Sequence, residues 1–86
     1  MLTVKRFSAS WCSPCRQLAP IMESVSRKFP DVTFVTVDVD EQKLQAQNYG
    51  IRSVPTVVFE RNGVEISRFS DVRPEGSIVQ LINESK

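Results

Sequence analysis

Histidine is absent from this 86-residue sequence, cysteine occurs only twice, and no apolar run approaches the roughly 18 residues of a membrane-spanning helix. Each absence removes a class of protein. With no histidine and no third cysteine, an ordinary four-ligand zinc site cannot be completed without a second copy of the chain. Two cysteines are also too few for a secreted disulfide scaffold. A net charge of +1 gives no electrostatic case for nucleic acid or for an anionic membrane. Met1 to Arg6 leaves no room for a signal-peptide apolar region before its charges, so a cytoplasmic, reducing location is expected if the chain is complete as written. There is no internal repeat, low-complexity tract or linker, so residues 1–86 are expected to form a single domain around one core.

What is present is concentrated in one stretch, Trp11-Cys12-Ser13-Pro14-Cys15-Arg16. A disulfide between Cys12 and Cys15 closes a very small ring and removes little unfolded-state entropy, so it is a poor staple. It is better suited to being made and broken. The competing readings are a zinc half-site and two inert core thiols. Charge is uneven as well. Residues 1–30 carry Lys5, Arg6, Arg16, Arg27 and Lys28 against Glu23 alone, whereas residues 31–43 carry Asp31, Asp38, Asp40 and Glu41 against Lys43. The cysteines sit in the basic part.

Periodicity supplies the frame. Leu2 to Ser8 reads as a short strand, and Ser13-Pro14 as a helix start, since the missing proline N–H costs nothing in the first turn. Leu18, Ile21, Met22, Val25 and Phe29 lie on one helical face that continues past Pro20, where a kink is expected, and Pro30 ends it. Val32 to Val39 is β-branched and apolar, a buried strand of the parallel type. Glu41 to Tyr49 can form two helical turns closed by Gly50. Pro55 to Glu60 and Val64 to Phe69 flank an Asn62-Gly63 hairpin signal, and Pro74 opens a last helix with Ile78, Leu81 and Ile82 inward. The order is β-α-β-α-β-β-α. A right-handed crossover makes the first two strands parallel, and the last two form an antiparallel hairpin. With helices on both faces, the result is a three-layer α/β domain.

This order, with Trp11-Cys12-Ser13-Pro14-Cys15 after the first strand and Ser53-Val54-Pro55-Thr56 opening the third, resembles the thioredoxin family. Phe7 to Cys12, Val37 to Asp40, Tyr49 to Arg52 and Asn62-Gly63 match similar segments, so the likeness covers nearly the whole chain. It implies a minimal thioredoxin-like fold, a four-stranded mixed sheet with helices on both faces. It also implies a cis Val54–Pro55 bond beside the cysteines, and a substrate groove of Val54, Pro55 and Thr56 with the Asp71 loop next to it. A thioredoxin reductase is the implied electron donor, and disulfide-containing proteins such as ribonucleotide reductase the implied acceptors. A monomer is expected. The chain departs from the family in several places. Typical members have a strand and helix before the segment Leu2 opens, which leaves Val32–Val39 as the expected sheet edge. They have Gly and Lys where Ser13 and Arg16 stand, Gly where Asp71 stands, and a buried Asp where Arg6 stands. That Asp is usually given the second cysteine's proton, and Arg6 cannot take it.

The chemistry follows from placement. Cys12 precedes a helix, where unpaired backbone N–H groups and the dipole favour thiolate, and Cys15, one turn in, is the less exposed resolving thiol. Trp11 is expected as an exposed ring suited to partner contact, the alternative being a core aromatic. Val4, Arg6 and Ser8 share a strand face, and the family likeness points that face beneath the cysteines. A cation there favours thiolate on either sulfur; if Arg6 snorkels to solvent, its influence is slight. Asp71 reads most simply as a solvated loop residue, and the Asp38–Asp40–Glu41 cluster as a strand end and helix start, not a metal site. No nucleotide-binding motif is present, so no bound cofactor is expected and the electrons come from outside. Taken together, the residues point to a dithiol reductase of protein disulfides. A glutathione-fed, glutaredoxin-like donor and a non-catalytic subunit with dispensable cysteines remain as alternatives.

Overall fold

A computed structural model describes all 86 residues, Met1–Lys86. Seven elements follow one another: β1 (Leu2–Ser8), α1 (Ser13–Lys28), β2 (Thr33–Asp38), α2 (Lys43–Asn48), β3 (Thr56–Arg61), β4 (Val64–Ser70) and α3 (Glu75–Ser85). They form one sheet in the order β2-β1-β3-β4. β1 and β2 run parallel, with Arg6 opposite Thr36 and Ser8 opposite Asp38. β3 lies antiparallel to both β1 and β4, so the sheet is mixed. The Asn62-Gly63 turn has φ of 54° and 81°, the left-handed pair that matches the twist of a tight hairpin.

Strand alternation sorts the apolar residues between two layers. Leu2, Val4, Val57 and Phe59 face α1 and α3, where Leu18, Met22, Val25, Ile78 and Ile82 complete the main core. Phe7, Val37 and Val58 face the other way and pack with Tyr49 and Ile51 at the end of α2. Burying Leu18 and Phe59 completely makes each intolerant of truncation, at about 2–5 kcal/mol for the loss of a large core side chain. α1 runs unbroken through Pro20, and Arg27 and Lys28 in its last turn complement the carbonyl end of its dipole. No helix is long and apolar enough to cross a membrane.

Three expectations need correction. The Val32–Val39 segment is not a buried strand throughout. β2 is the sheet edge, so within it only Val37 is buried while Val35 is 38% exposed. The second helix spans Lys43–Asn48 and not Glu41–Tyr49. An oxygen of Asp38 accepts the Asp40 and Glu41 backbone N–H groups at 2.8 and 3.2 Å and holds those residues in a turn. The third strand begins at Thr56, one residue after Pro55.

Candidate active site

The cysteine loop joins the carboxyl end of β1 to the amino end of α1. Cys12 is the N-cap: its backbone is extended, and its sulfur accepts the Cys15 backbone N–H at 3.2 Å. The sulfur therefore occupies the place where a helix leaves donors unpaired and its dipole is positive. Cys15 lies in the first turn, and the two are joined as a disulfide with their Cα atoms 5.3 Å apart. Ser13 and Pro14, between them, are exposed.

The expected contrast in exposure between the two cysteines is nearly absent from this disulfide form. Cys12 is 4% exposed and Cys15 2%. Cys12 is covered because the cysteines and Ala9 form a small apolar cluster against which Val39 and Val54 pack. Its sulfur also lies 3.6 Å from the Val54 carbonyl oxygen. Trp11, next to it in the chain, is 65% exposed. The Trp11 indole N–H donates to an Asp40 carboxylate oxygen at 2.8 Å, which fixes the ring outside the core.

The Val54–Pro55 peptide bond is cis, with Pro55 buried and Val54 half-buried beside the cysteines. Trp11, Ile51, Arg52 and Val54 line a shallow groove of about 180 Å³. The Thr56 side chain takes no part in that groove. It is 3% exposed, and its hydroxyl donates to the Ser53 carbonyl at 2.7 Å and lies 3.0 Å from the Ser70 hydroxyl. As the first residue of β3, Thr56 is held inside the sheet. Asp71 does reach the site: its N–H donates to the Pro55 carbonyl at 3.2 Å. Its φ of +75° lies in the left-handed region that favours glycine.

Arg6 shares a cleft with Cys15. This second cleft, of about 260 Å³, is lined by Arg6, Ser8, Cys15, Arg16, Thr36 and Asp38 among others. The Arg6 guanidinium is half-buried and donates to the Thr36 hydroxyl at 3.0 Å. That burial, with nothing to offset it, pushes its proton affinity below the ordinary arginine value. Arg16 donates to the Ser10 carbonyl at 3.0 Å. None of the five ion pairs in the molecule involves Arg6, Arg16 or Asp38.

Sequence reasoning missed Ala9, Thr36 and Asp40 as parts of this site. Thr36 would have emerged from the parallel register, which places it directly opposite Arg6. No local signal marks Asp40, because its partner Trp11 is 29 residues away.

Comparison with known proteins fits the geometry. The family model described as Thioredoxin matches residues 1–84. A thioredoxin of Chlamydia pneumoniae is 34% identical over 83 residues, 96% of this chain and 81% of its own length. The rice protein Thioredoxin H5 is 46% identical over 65 residues, 76% of this chain, and the match spans 48% of the rice protein, about half its length. Among solved structures, the X-ray structure of Fasciola hepatica thioredoxin superposes with a TM-score of 0.92 at 39% identity, covering 99% of this chain and 81% of that one. The Nicotiana alata thioredoxin NaTrxh gives 0.93 at 33% identity, covering 99% and 73%. What these likenesses and the Cys12–Cys15 pair jointly support is thiol–disulfide exchange.

Proposed function

Because this chain belongs to the thioredoxin family, we propose that it reduces protein disulfides in the cytoplasm as a monomer. The observation that carries the reading is the placement of Cys12 as N-cap of α1 with Cys15 one turn behind it, already joined as a bridge. The Cys12 thiolate attacks a substrate disulfide, forming a mixed disulfide and releasing one substrate thiolate. Cys15 then attacks the Cys12 sulfur, closes the Cys12–Cys15 bridge and frees the second. Two electrons pass from the dithiol to the substrate. A thioredoxin reductase is the donor that returns them, and ribonucleotide reductase is a fitting acceptor. Trp11, Val54, Pro55 and the Asp71 loop form the docking surface for an extended substrate segment.

Insulin reduction, followed with NADPH and thioredoxin reductase and separately with glutathione, tests this directly. Turnover with the reductase is expected, as is its complete loss in Cys12→Ser. Cys15→Ser is expected to trap a mixed disulfide with substrate. Faster turnover with glutathione would instead favour a glutaredoxin-like donor, and no turnover from either source would leave a binding module.

A further inference from the structure

We infer that Arg6 is a positioning residue for Cys15: its guanidinium, without a counter-charge in the disulfide form, holds the Cys15 thiolate that appears on reduction. Arg6 reaches the cleft from β1, Cys15 and Arg16 from α1, and Thr36 and Asp38 from β2. These are the groups whose charge bears on the sulfur. One oxygen of the single carboxylate, that of Asp38, already accepts two backbone N–H groups, and Asp38 pairs with neither arginine. Arg16 has donated toward Ser10. Arg6 has only a neutral hydroxyl as partner, so its half-buried charge gains most from an anion arriving in the same cleft.

For the exchange step the inference rests on the reductase reading above. In the mixed disulfide, Cys15 gives its proton to water in the open cleft, since a guanidinium takes none. The resulting thiolate attacks the Cys12 sulfur. The Cys12–Cys15 bond forms, the bond to the substrate sulfur breaks, and the substrate thiolate takes a proton from solvent. Arg6 transfers nothing. It raises the fraction of Cys15 that is ready to attack and favours the reduced protein wherever that thiolate is populated.

A Cys12→Ser background leaves Cys15 as the sole thiol, so its thiolate absorbance can be titrated without substrate. Adding Arg6→Gln, which keeps a donor for Thr36 but loses the charge, is expected to tighten the proton on Cys15 about tenfold, the equivalent of one pKa unit. Arg6→Lys is expected to restore the original titration to within about threefold. In the two-cysteine protein, equilibration with a dithiol buffer gives a second readout. Well below about pH 7, where Cys15 carries its proton, wild type and Arg6→Gln coincide. Well above the free-thiol value of about 8.5, Arg6→Gln becomes the more reducing couple, approaching tenfold or about 30 mV. A shift under threefold on losing the charge overturns the inference, as does Arg6→Lys titrating like Arg6→Gln. So does a potential difference that is constant with pH, which a merely structural role would give. If the titration shifts but insulin is not reduced, the reductase reading fails and the charge effect stands.

Discussion

Lys5 and Arg6 are neighbours on β1, carry the same charge, and do opposite things with it. Lys5 points to the α2 side. There its ammonium donates to the Tyr49 hydroxyl at 2.7 Å, lies 3.4 Å from a Glu60 oxygen and sits 4.9 Å from the Tyr49 ring centroid. Tyr49 in turn donates to Glu60. That closes a triangle in which each group satisfies the other two. Arg6, turned to the α1 side by strand alternation, has a hydroxyl and a cleft. The comparison teaches that a cation in a sheet serves stability when its counter-charge is built in. When the counter-charge is made only by a reaction, the same cation serves that reaction.

The largest effect on folding should therefore come from the paired member. Lys5→Met leaves Glu60, whose side chain is 7% exposed, with Tyr49 alone. Removing one partner of a fully buried pair costs about 3 kcal/mol or more; with the Lys5 side chain 22% exposed the loss is about 2 kcal/mol, lowering the denaturant midpoint while the slope stays constant. The pH dependence has a definite sign. The Tyr49 hydrogen bond, and after it the attraction of Glu60, raises the Lys5 proton affinity above its ordinary value of 10.5, against the opposing pull of burial. A raised folded-state value means the stabilisation is complete below about pH 10.5 and is lost as pH rises through the elevated value. Wild type should thus lose this share of its stability in strong alkali, and Lys5→Met should show a flatter alkaline limb. Equal limbs would show that the triangle carries no charge-dependent stability, and the contrast with Arg6 would lose half its content.

How much of this was legible in the sequence follows from which signals are local. The stripe from Leu18 to Phe29 has a period, so α1 and its buried face could be read directly. Alternation put Arg6 on the same face of β1 as Val4, and the family likeness turned that face toward the cysteines. The Cys12–Cys15 spacing gave the chemistry. The counter-charges could not be read, because Glu60 and Tyr49 meet Lys5 only once β3 and α2 are placed around β1. The strand through Val35 looked buried because its residues are β-branched, yet its exposure is decided by sheet order, which the family likeness supplied by placing it at the edge and no window of residues encodes. The burial of Cys12 belongs to the same class, since it depends on how Val39 and Val54, both distant in sequence, close over it.

A second pair sharpens the comparison at smaller scale. Asn62 and Asp71 both adopt positive φ, 54° and 75°. Asn62 does so in a hairpin remote from the cysteines, and its side chain accepts a hydrogen bond from the amino terminus at 3.1 Å. Asp71 does so beside Pro55 and has no side-chain partner among the hydrogen bonds or ion pairs of the molecule. Asp71→Gly removes the Cβ conflict and keeps the N–H that reaches Pro55. A gain of about 0.5–1 kcal/mol is expected once the added freedom of the unfolded chain is subtracted. Because Asp71 borders the proposed groove, the same variant should change substrate preference in a competition between acidic and basic disulfide peptides, with the acidic one gaining. A stability gain with unchanged preference would confine Asp71 to backbone geometry.

The smallest stability effect is expected at Arg6, which makes it the sharpest check on the contrast with Lys5. Arg6→Gln keeps a donor within reach of Thr36 and removes a half-buried charge whose desolvation nothing in the disulfide form offsets. The two changes oppose each other, so the unfolding free energy of the oxidised protein should move by no more than about 0.5 kcal/mol. In the reduced protein above the thiol titration, the same substitution should be destabilising, because there the lost cation had a thiolate to hold. The difference between the oxidised and reduced unfolding curves is therefore the measurement that matters. A loss in the oxidised form as large as that of Lys5→Met would mean that Arg6 is structural too, and that the two faces of β1 use their charge alike.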